Sequence, residues 1–599
     1  MKGKFVKLLP IIILLLLIGF LNFRLIEVLL KLKSLPTCIY GCDYYYEQGV
    51  IYHLFRNGIT AFGTSSVHKG NVPTTPQLYY IFPAAISVIL KISPFDAQRL
   101  LSPVILAISF TLFYLFFKKL LNDSLIALFS TVSAFPLLVF PIFKYTSFAM
   151  AISLPLFFLS LLKFLEKIDW KSCALLGLAI GICGLSHYAL FFISFEVVII
   201  TFLLTRLIEF KNGSLVLKLE NSTAYFTLAL FLGFLISLLF WYKPIFVFHG
   251  KTIAYGFNVE DFTKPNVYFS FLSDSVERLF FDASDAHKLL IGLLSFFGFF
   301  LILLKGERLE RALLLSLLFA IYNYLILVPL TGKHLSPVHS LSFLSPIIWG
   351  ISVGFLFKEL SRLLDKRYTC ALLLLLVLFI TAGKLADFDE KVEKDRFFVQ
   401  GYEEIPPHYK SVQKYLLANA SANDVVLSSN ELCFVLNGLS GVKCLLYRRG
   451  HASKFDDLDE IYLDAAIILY GNDTEKKIEL IRELNVTYLY WDVNWIGSEY
   501  SFDENGNLMS WFDPITLIYS EDKERRLREN NISYFIRTTW LDPAFRNEKF
   551  KKFKLIFISP KNYRSFWKPW REDLDEYLEE VWRYESDGEI IARLWRVVI

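Results

Sequence analysis

Between Leu8 and Leu385 the chain repeats apolar runs near twenty residues long, and beyond Asp387 that pattern stops. A stretch of about 20 apolar residues with few charges is long enough to cross a bilayer as a helix. The remainder, polar, aromatic and turn-rich, reads as a water-exposed domain. The expected fold class is therefore a polytopic α-helical membrane protein of about 11 transmembrane helices with a C-terminal extracytoplasmic mixed α/β domain. The boundaries read as 1–386 for the membrane domain, with outer loops 31–98 and 243–287, and 387–599 for the α/β domain.

Composition agrees with a membrane chain. Hydrophobic residues are 54% of 599 and aromatic ones 17%, concentrated in runs and not spread at core spacing. A net charge of +4 gives no reason to expect a nucleic-acid partner. Cys173, Cys183 and Cys370 fall in apolar runs and read as small hydrophobes. Cys38/Cys42 and Cys433/Cys444 fall in polar segments, where either pair forms a disulfide only if its side of the membrane is oxidising. Zinc binding is not expected, since neither of these Cys pairs has a second Cys or His pair at metal-site spacing.

The expected spans are 8–26, 99–117, 123–142, 146–163, 171–187, 188–205, 223–242, 288–304, 310–330, 338–357 and 369–386. The basic start lacks a small-residue cleavage site, so the first run reads as a retained helix. Lys and Arg of short loops stay cytoplasmic. With 78–92 left out, the clusters at Lys2/Lys4/Lys7, Lys118/Lys119, Lys163/Lys167/Lys171, Arg206/Lys211/Lys218, Lys305/Arg308/Arg311 and Lys358/Arg362/Lys366/Arg367 all share one side. The expected location is the cytoplasmic (plasma) membrane, multi-pass, with the N-terminus cytoplasmic and the C-terminal domain outside. Run 78–92, with Pro83, Tyr79 and Tyr80, then reads as an interfacial helix on the outer surface. Sequons at Asn419, Asn472, Asn485 and Asn531 fall in the tail, but Asn122, Asn212 and Asn221 fall inside on this topology, so sequons do not discriminate.

In the tail, NDVVLSS and CLLYR read as strands. TEKKIELIRELNVTYLYWD and EDKERRLRENNISYFIRTT each read as an amphipathic helix followed by a strand, as if two turns of one α/β layer. The final IIARLWRVVI reads as a closing strand. No phosphate loop, nucleotide fingerprint or Ser/His/Asp motif is present.

The first outer loop concentrates the chemistry. Asp43 lies where a helix can start, and Glu47 four residues on shares its face. Tyr46, Val50 and Leu54 fill a neighbouring stripe that suits the membrane surface. Asp43 has two readings, a helix N-cap with Glu47 a solvated charge, or a reactive carboxylate. His187, at the outer end of a span, reads either as an interfacial histidine bonded to backbone or as a groove lining. The acidic run Asp456, Asp457, Asp459, Glu460, Asp464 lacks EF-hand spacing and reads as a solvated helix start. Tyr447–His451 reads as a surface turn or an acceptor contact.

An acidic residue in the first outer loop, then Thr75-Pro76-Gln77-Leu78-Tyr79, then a surface helix ending in Arg99-Leu100, resembles the GT-C superfamily of polytopic glycosyltransferases. That superfamily includes protein mannosyltransferases, aminoarabinose transferases and oligosaccharyltransferases. The resemblance extends to the second long outer loop, to His334–Leu356, to an outer α/β tail, and to Leu439–Ser453, similar to a stretch in some prokaryotic members. It implies Asp43, with Glu47 beside it, as the catalytic pair, Asp43 being the general base. It implies a donor lipid phosphate met by cations, for which Arg56, Lys69, Lys144, His187, Lys243, His334 and His339 are candidates. Arg448, Arg449 and His451 are candidates for acceptor contact. Two features depart from the pattern. His339 stands where members often carry Arg, and the FKYTS loop lacks the carboxylates of metal-dependent members. The second departure implies no required cofactor, a divalent metal being disfavoured.

The implied function is an inverting hexosyl- or pentosyltransferase at the outer face of the cytoplasmic membrane. Its partners are a polyprenyl-phosphate sugar donor, a glycan, lipid or protein acceptor, and membrane lipid. A transporter or lipid-linked glycan flippase is the alternative, expected to show intramembrane charge and broken helices; the spans read as nearly free of charge. A non-catalytic surface or assembly protein is the third reading, against which the many spans weigh.

Overall fold

The computed structural model describes residues 2–40, 43–211, 214–217, 221–251, 264–331, 337–421, 423–541 and 550–599. The chain divides into two compact units. One comprises Met1–Lys31, Gln98–Tyr242 and Phe262–Phe398; the other comprises Leu32–Ala97, Lys243–Asp261 and Val399–Ile599. The first outer loop thus groups almost wholly with the tail, while the second divides, 243–261 with the tail and 262–287 with the membrane unit.

The first unit is the membrane unit. Among the described residues, eight helices are long and apolar enough to cross a bilayer, and the bent pair Arg308–Tyr322 and Tyr324–Thr331 counts as a ninth when taken as one broken span. Nine of the eleven expected spans fall on these; the remaining two, 171–187 and 123–142, fall on shorter apolar helices, and the second of those, like Leu78–Leu90, is too short to cross alone. These two helices are Trp170–Ser186, 17 residues, and Ser124–Ala134, 11 residues. Seventeen residues is the lower limit of the usual crossing length of about 17–25. The shorter helix ends at Phe135-Pro136, because a residue before proline is pushed out of helical conformation.

These spans carry more charge than the sequence suggested. Glu196, midway along Tyr188–Phe202, accepts from Asn323 Nδ2 at 2.9 Å on both carboxylate oxygens. Asn323 sits at the break of the bent pair. Lys384 Nζ donates to the carbonyls of Ser133 and Phe135, both at 2.8 Å. Lys391 Nζ donates to those of Leu138 at 2.6 Å and Phe140 at 3.1 Å. Lys384 thus meets carbonyls at the end of the short helix, and Lys391 those of the turn that follows it.

The second unit is α/β. A five-stranded sheet runs Leu578–Ser586, Glu589–Val597, Val486–Asp492, Val425–Leu427, Lys443–Cys444 in spatial order, antiparallel across its first three strands and parallel thereafter. The closing strand is therefore internal, with a partner on each side. A separate antiparallel sheet holds Thr516–Ile518, Phe553–Ile558 and Tyr534–Thr539. Both expected helix–strand pairs form, Thr474–Glu483 with Val486–Asp492 and Glu521–Glu529 with Tyr534–Thr539. Their strands lie in different sheets and not in one layer. CLLYR supplies only the end of a two-residue strand. Cys433 and Cys444 are buried free thiols, Cys38 is a half-buried thiol, and Cys42 lies outside the described residues.

Leu78–Leu90 also belongs to the second unit. Its 13 residues span about 20 Å, short of the roughly 30 Å hydrocarbon core. Phe82, Val88, Ile89 and Leu90 are exposed along it.

Candidate functional site

The helix Asp43–Asn57 carries the site, and within its own unit it is almost wholly interior. Tyr45 through Leu54 are all buried. Tyr46, Val50 and Leu54, expected to rest on lipid, are instead 4%, 2% and 3% exposed and pack inside this unit. Their partner is the helix Asn430–Ser440. Glycines on both helices permit the crossing. A Cβ on Gly49 would lie 2.2 Å from Asn437 Oδ1, and one on Gly438 would lie 2.7 Å from the Tyr45 carbonyl oxygen. Glu47, expected either beside Asp43 as a working group or solvated, is 1% exposed. It cannot be the solvated charge of the capping reading.

Asp43 opens this helix with its side chain 58% exposed. His451 Nε2 lies 3.0 Å from Asp43 Oδ1. A carboxylate only accepts, so the proton is on Nε2. His451 Nδ1 is buried with no hydrogen-bond partner. The neutral Nε2–H tautomer fits both facts, since an imidazolium would leave a buried N–H unpaired. The ring is held between Tyr46 and Phe434, centroids at 5.2 and 5.0 Å. His451 is thus a fixed donor aimed at an exposed carboxylate, which also sits at a helix N-terminus where negative charge is favoured.

Other chain segments frame the pair. Thr74 Oγ1 donates to the His451 carbonyl at 2.9 Å, and Asn71 N–H to Asp456 Oδ1 at 2.6 Å. Lys243 Nζ donates to the Asn71 carbonyl at 2.9 Å, and Phe248 packs on Phe455 with centroids at 5.0 Å. First loop, second loop and tail meet here. Within the acidic run, Asp457 is exposed and caps the helix Leu458–Tyr470 as a solvated helix start would, but other members are buried. Asp456 is 1% exposed, and burial pushes its carboxyl up to about 6. Asp459 is also buried, yet Arg449 and Lys523 hold its carboxyl below the ordinary range. Glu460 and Asp464 pair with Arg526. Nor is Tyr447–His451 a surface turn, because Tyr447 is 0% exposed and donates to Asn437 Oδ1 at 2.8 Å. Asn71, Thr74 and Asp456 carried no motif that marked them; their roles come from packing.

The remaining candidates fall into different settings. Arg56 donates to the carbonyls of Ser440 and Ala420, capping the C-terminal ends of two helices. Lys69 pairs with Glu483 at 3.2 Å on the surface. Arg448 bonds Glu431 and Asp513, and Arg449 bonds Asp459 and the Thr516 carbonyl. In the membrane unit, His187 caps Tyr188–Phe202 by accepting from Ala189 N–H at 3.1 Å. It stacks on Tyr145 at 4.9 Å and lies 5.2 Å from the His339 ring, which Tyr188 Oη meets at 3.1 Å. Lys144 stands just before the short helix Tyr145–Phe148. His334 lies outside the described residues. Among the described residues, no three His, Cys, Asp or Glu groups converge as a metal site.

No protein-family model matches the chain. The uncharacterized protein MJ1080 of Methanocaldococcus jannaschii is 31% identical over 137 residues, which are 22% of this chain and 100% of that protein. The chain belongs to the same family as MJ1080. Among solved structures, the chain is similar to the Archaeoglobus fulgidus oligosaccharyltransferase, at 12% identity over 82% of this chain and 72% of that one, TM-score 0.43. It is similar to the arabinofuranosyltransferase AftD from Mycobacteria, at 11% identity over 90% and 40%, TM-score 0.43. It is also similar to ArnT from Cupriavidus metallidurans, solved with undecaprenyl phosphate, at 11% identity over 94% and 99%, TM-score 0.44. All three are GT-C glycosyltransferases, the superfamily that the first outer loop resembles. At these scores the likeness is one of chain path, and no residue is carried across.

Proposed function

We propose that this chain is a membrane glycosyltransferase that moves a sugar from a polyprenyl-phosphate donor to an acceptor at the outer face of the cytoplasmic membrane. Asp43 is the general base. The observation that carries this reading is the exposed Asp43 carboxylate fixed by a buried His451. The carboxylate takes the proton of the acceptor hydroxyl while that oxygen attacks the anomeric carbon. The bond from that carbon to the lipid phosphate breaks, and its electron pair leaves with the phosphate, inverting the centre. A phosphate leaving group is already a weak base, so it needs nearby cations and donors more than a proton. Lys243, in the same unit as Asp43, is the cation proposed for it. His451 is a positioning residue: it holds the carboxylate and touches no substrate.

The test is sugar transfer by purified protein from a panel of labelled polyprenyl-phosphate sugars, with Asp43→Asn alongside. Transfer by the wild type and its loss in Asp43→Asn supports the reading; equal transfer by both removes Asp43 from the chemistry.

A transporter or flippase is the second reading, and Glu196 against Asn323 at a helix break favours it. Reconstituted protein that moves a lipid-linked sugar across vesicles in a Glu196-dependent way, and transfers no sugar, establishes that alternative.

A further inference from the structure

Four Asn-x-Ser/Thr triplets lie in the α/β unit, at Asn419, Asn472, Asn485 and Asn531, and all four asparagines are exposed. Such a triplet is the acceptor for an N-linked glycan when it reaches the outer side of a membrane. An asparagine can equally stand where it does because the fold needs it there, so each is weighed against its own surroundings.

For three of the four the fold supplies a reason. Asn419 Nδ2 donates to the Tyr415 carbonyl at 2.9 Å in the last turn of its helix. Asn485 and Asn531 follow the helices Thr474–Glu483 and Glu521–Glu529, and both are left-handed, at φ 50° and 55°. Asparagine tolerates that conformation better than most residues with a side chain. Asn485 Nδ2 also donates to the Asn423 carbonyl at 3.2 Å. Asn472 has no such duty. It is not left-handed, its side chain bonds nothing among the described residues, and the cap of the next helix is Asp473, which accepts from Lys476 N–H at 3.1 Å. Asn531 resembles it in one respect. Left-handed geometry accounts for its backbone, but its amide bonds nothing among the described residues, and Ser533 of its triplet is exposed.

The two free amides are neighbours. Asn472 lines a shallow depression together with Glu529 and Asn530, the residues just before Asn531. Every residue lining that depression is polar, and Asp473, Glu475 and Glu529 are exposed. The face therefore lacks the apolar patch that marks a protein interface. A hydrated chain attached there covers no surface that needs burying.

We propose that Asn472 and Asn531 carry N-linked glycans. The co-reactant is a glycan carried on a polyprenyl-phosphate lipid, brought by a transferase of the host that reads such triplets. Nδ2 of the asparagine bonds to the anomeric carbon of the glycan. The bond from that carbon to the phosphate oxygen breaks, its electron pair leaves with the phosphate, and the amide gives up one proton to a base of the transferase. The inference rests on the proposed outer placement of the tail and not on Asp43 or on any activity of this chain. The membrane unit supplies a matched control. Asn122 and Asn221 begin the triplets Asn122-Asp123-Ser124 and Asn221-Ser222-Thr223 and are exposed too, but on the proposed topology they face the cytoplasm.

The experiment is glycopeptide mass spectrometry on the full-length protein purified from the membranes of its own host. Peptides containing Asn472 and Asn531 should carry saccharide masses on those asparagines, and peptides containing Asn122 and Asn221 should carry none. Asn472→Gln should remove one glycan and shift the gel band by one step. Ser533→Ala, which leaves Asn531 and its turn in place, should remove the other. Unmodified Asn472 and Asn531 in the wild-type protein overturn the inference. So does a glycan that stays on Asn531 in Ser533→Ala, because the triplet is then not what is read. A glycan on Asn122 or Asn221 puts those loops outside and overturns it as well. Glycans at both tail sites support the inference whether or not the purified protein transfers sugar.

Discussion

His451 lies 3.0 Å from Asp43 although 408 residues separate them in the chain. The contact ties the first outer loop to the tail within one compact unit and gives the carboxylate a fixed donor. Asp43→Asn keeps the size and removes the basic oxygen, so turnover should fall roughly 10²–10⁴-fold, the usual contribution of a positioned base. His451→Ala should lower kcat less, with His451→Gln recovering part of it by restoring an N–H donor. Melting temperatures of the three variants separate chemistry from folding. If Asp43→Asn transfers sugar normally but is less stable by about 0.5–2 kcal/mol, Asp43 is only a cap.

The buried carboxyl of Asp456 makes stability depend on pH. Burial raises it to about 6 from 3.8, so between those values the folded chain holds the proton more tightly than the unfolded chain does. Its contribution is present below pH 4 and is lost as pH rises through about 6. The difference is on the order of 3 kcal/mol at most. Asp456→Asn keeps an oxygen for the Asn71 N–H and carries no charge. It should raise the melting temperature at pH 8 and leave it unchanged at pH 4. A variant no more stable than wild type at pH 8 would show that Asp456 is solvated.

Close crossing of Asp43–Asn57 and Asn430–Ser440 depends on glycine. Gly438→Ala drives a methyl against the Tyr45 backbone, and Gly49→Ala drives one against the Asn437 oxygen held by Tyr447. Each should destabilise by about 1–3 kcal/mol, the usual cost of overpacking. Because the crossing orients Asp43, transfer should fall further than the lost stability explains. Activity measured well below the melting temperature makes that comparison.

The proposed topology has its own test. A cysteine placed at Asn505, on an exposed turn of the tail, should react with an impermeant thiol reagent in intact cells. Reporters fused after Gln77 and after Asp96 should fall on the same side, because Leu78–Leu90 is too short to cross. Labelling only after lysis, or reporters on opposite sides, reverses the assignment of inside and outside on which the proposed function rests.

The spans were legible in the sequence because hydropathy is local, and twenty apolar residues in a row identify themselves wherever they pack. The start of a helix at Asp43 and the helix–strand pairs ending in Val486–Asp492 and Tyr534–Thr539 were legible for the same reason. Which sheet each strand joins was not, since pairing depends on partners far along the chain. A charged residue reads the same in sequence whether it is solvated or buried. Glu47, Asp456 and Asp459 therefore read as surface groups until the helix crossing and the tail enclosed them. Glu196 hid inside an apolar run because its partner Asn323 comes from another helix. Sequence determined that this chain enters a membrane and where a reactive carboxylate could stand. Only tertiary structure set His451 against that carboxylate, because burial and hydrogen-bond geometry belong to packed faces and not to neighbours in the chain.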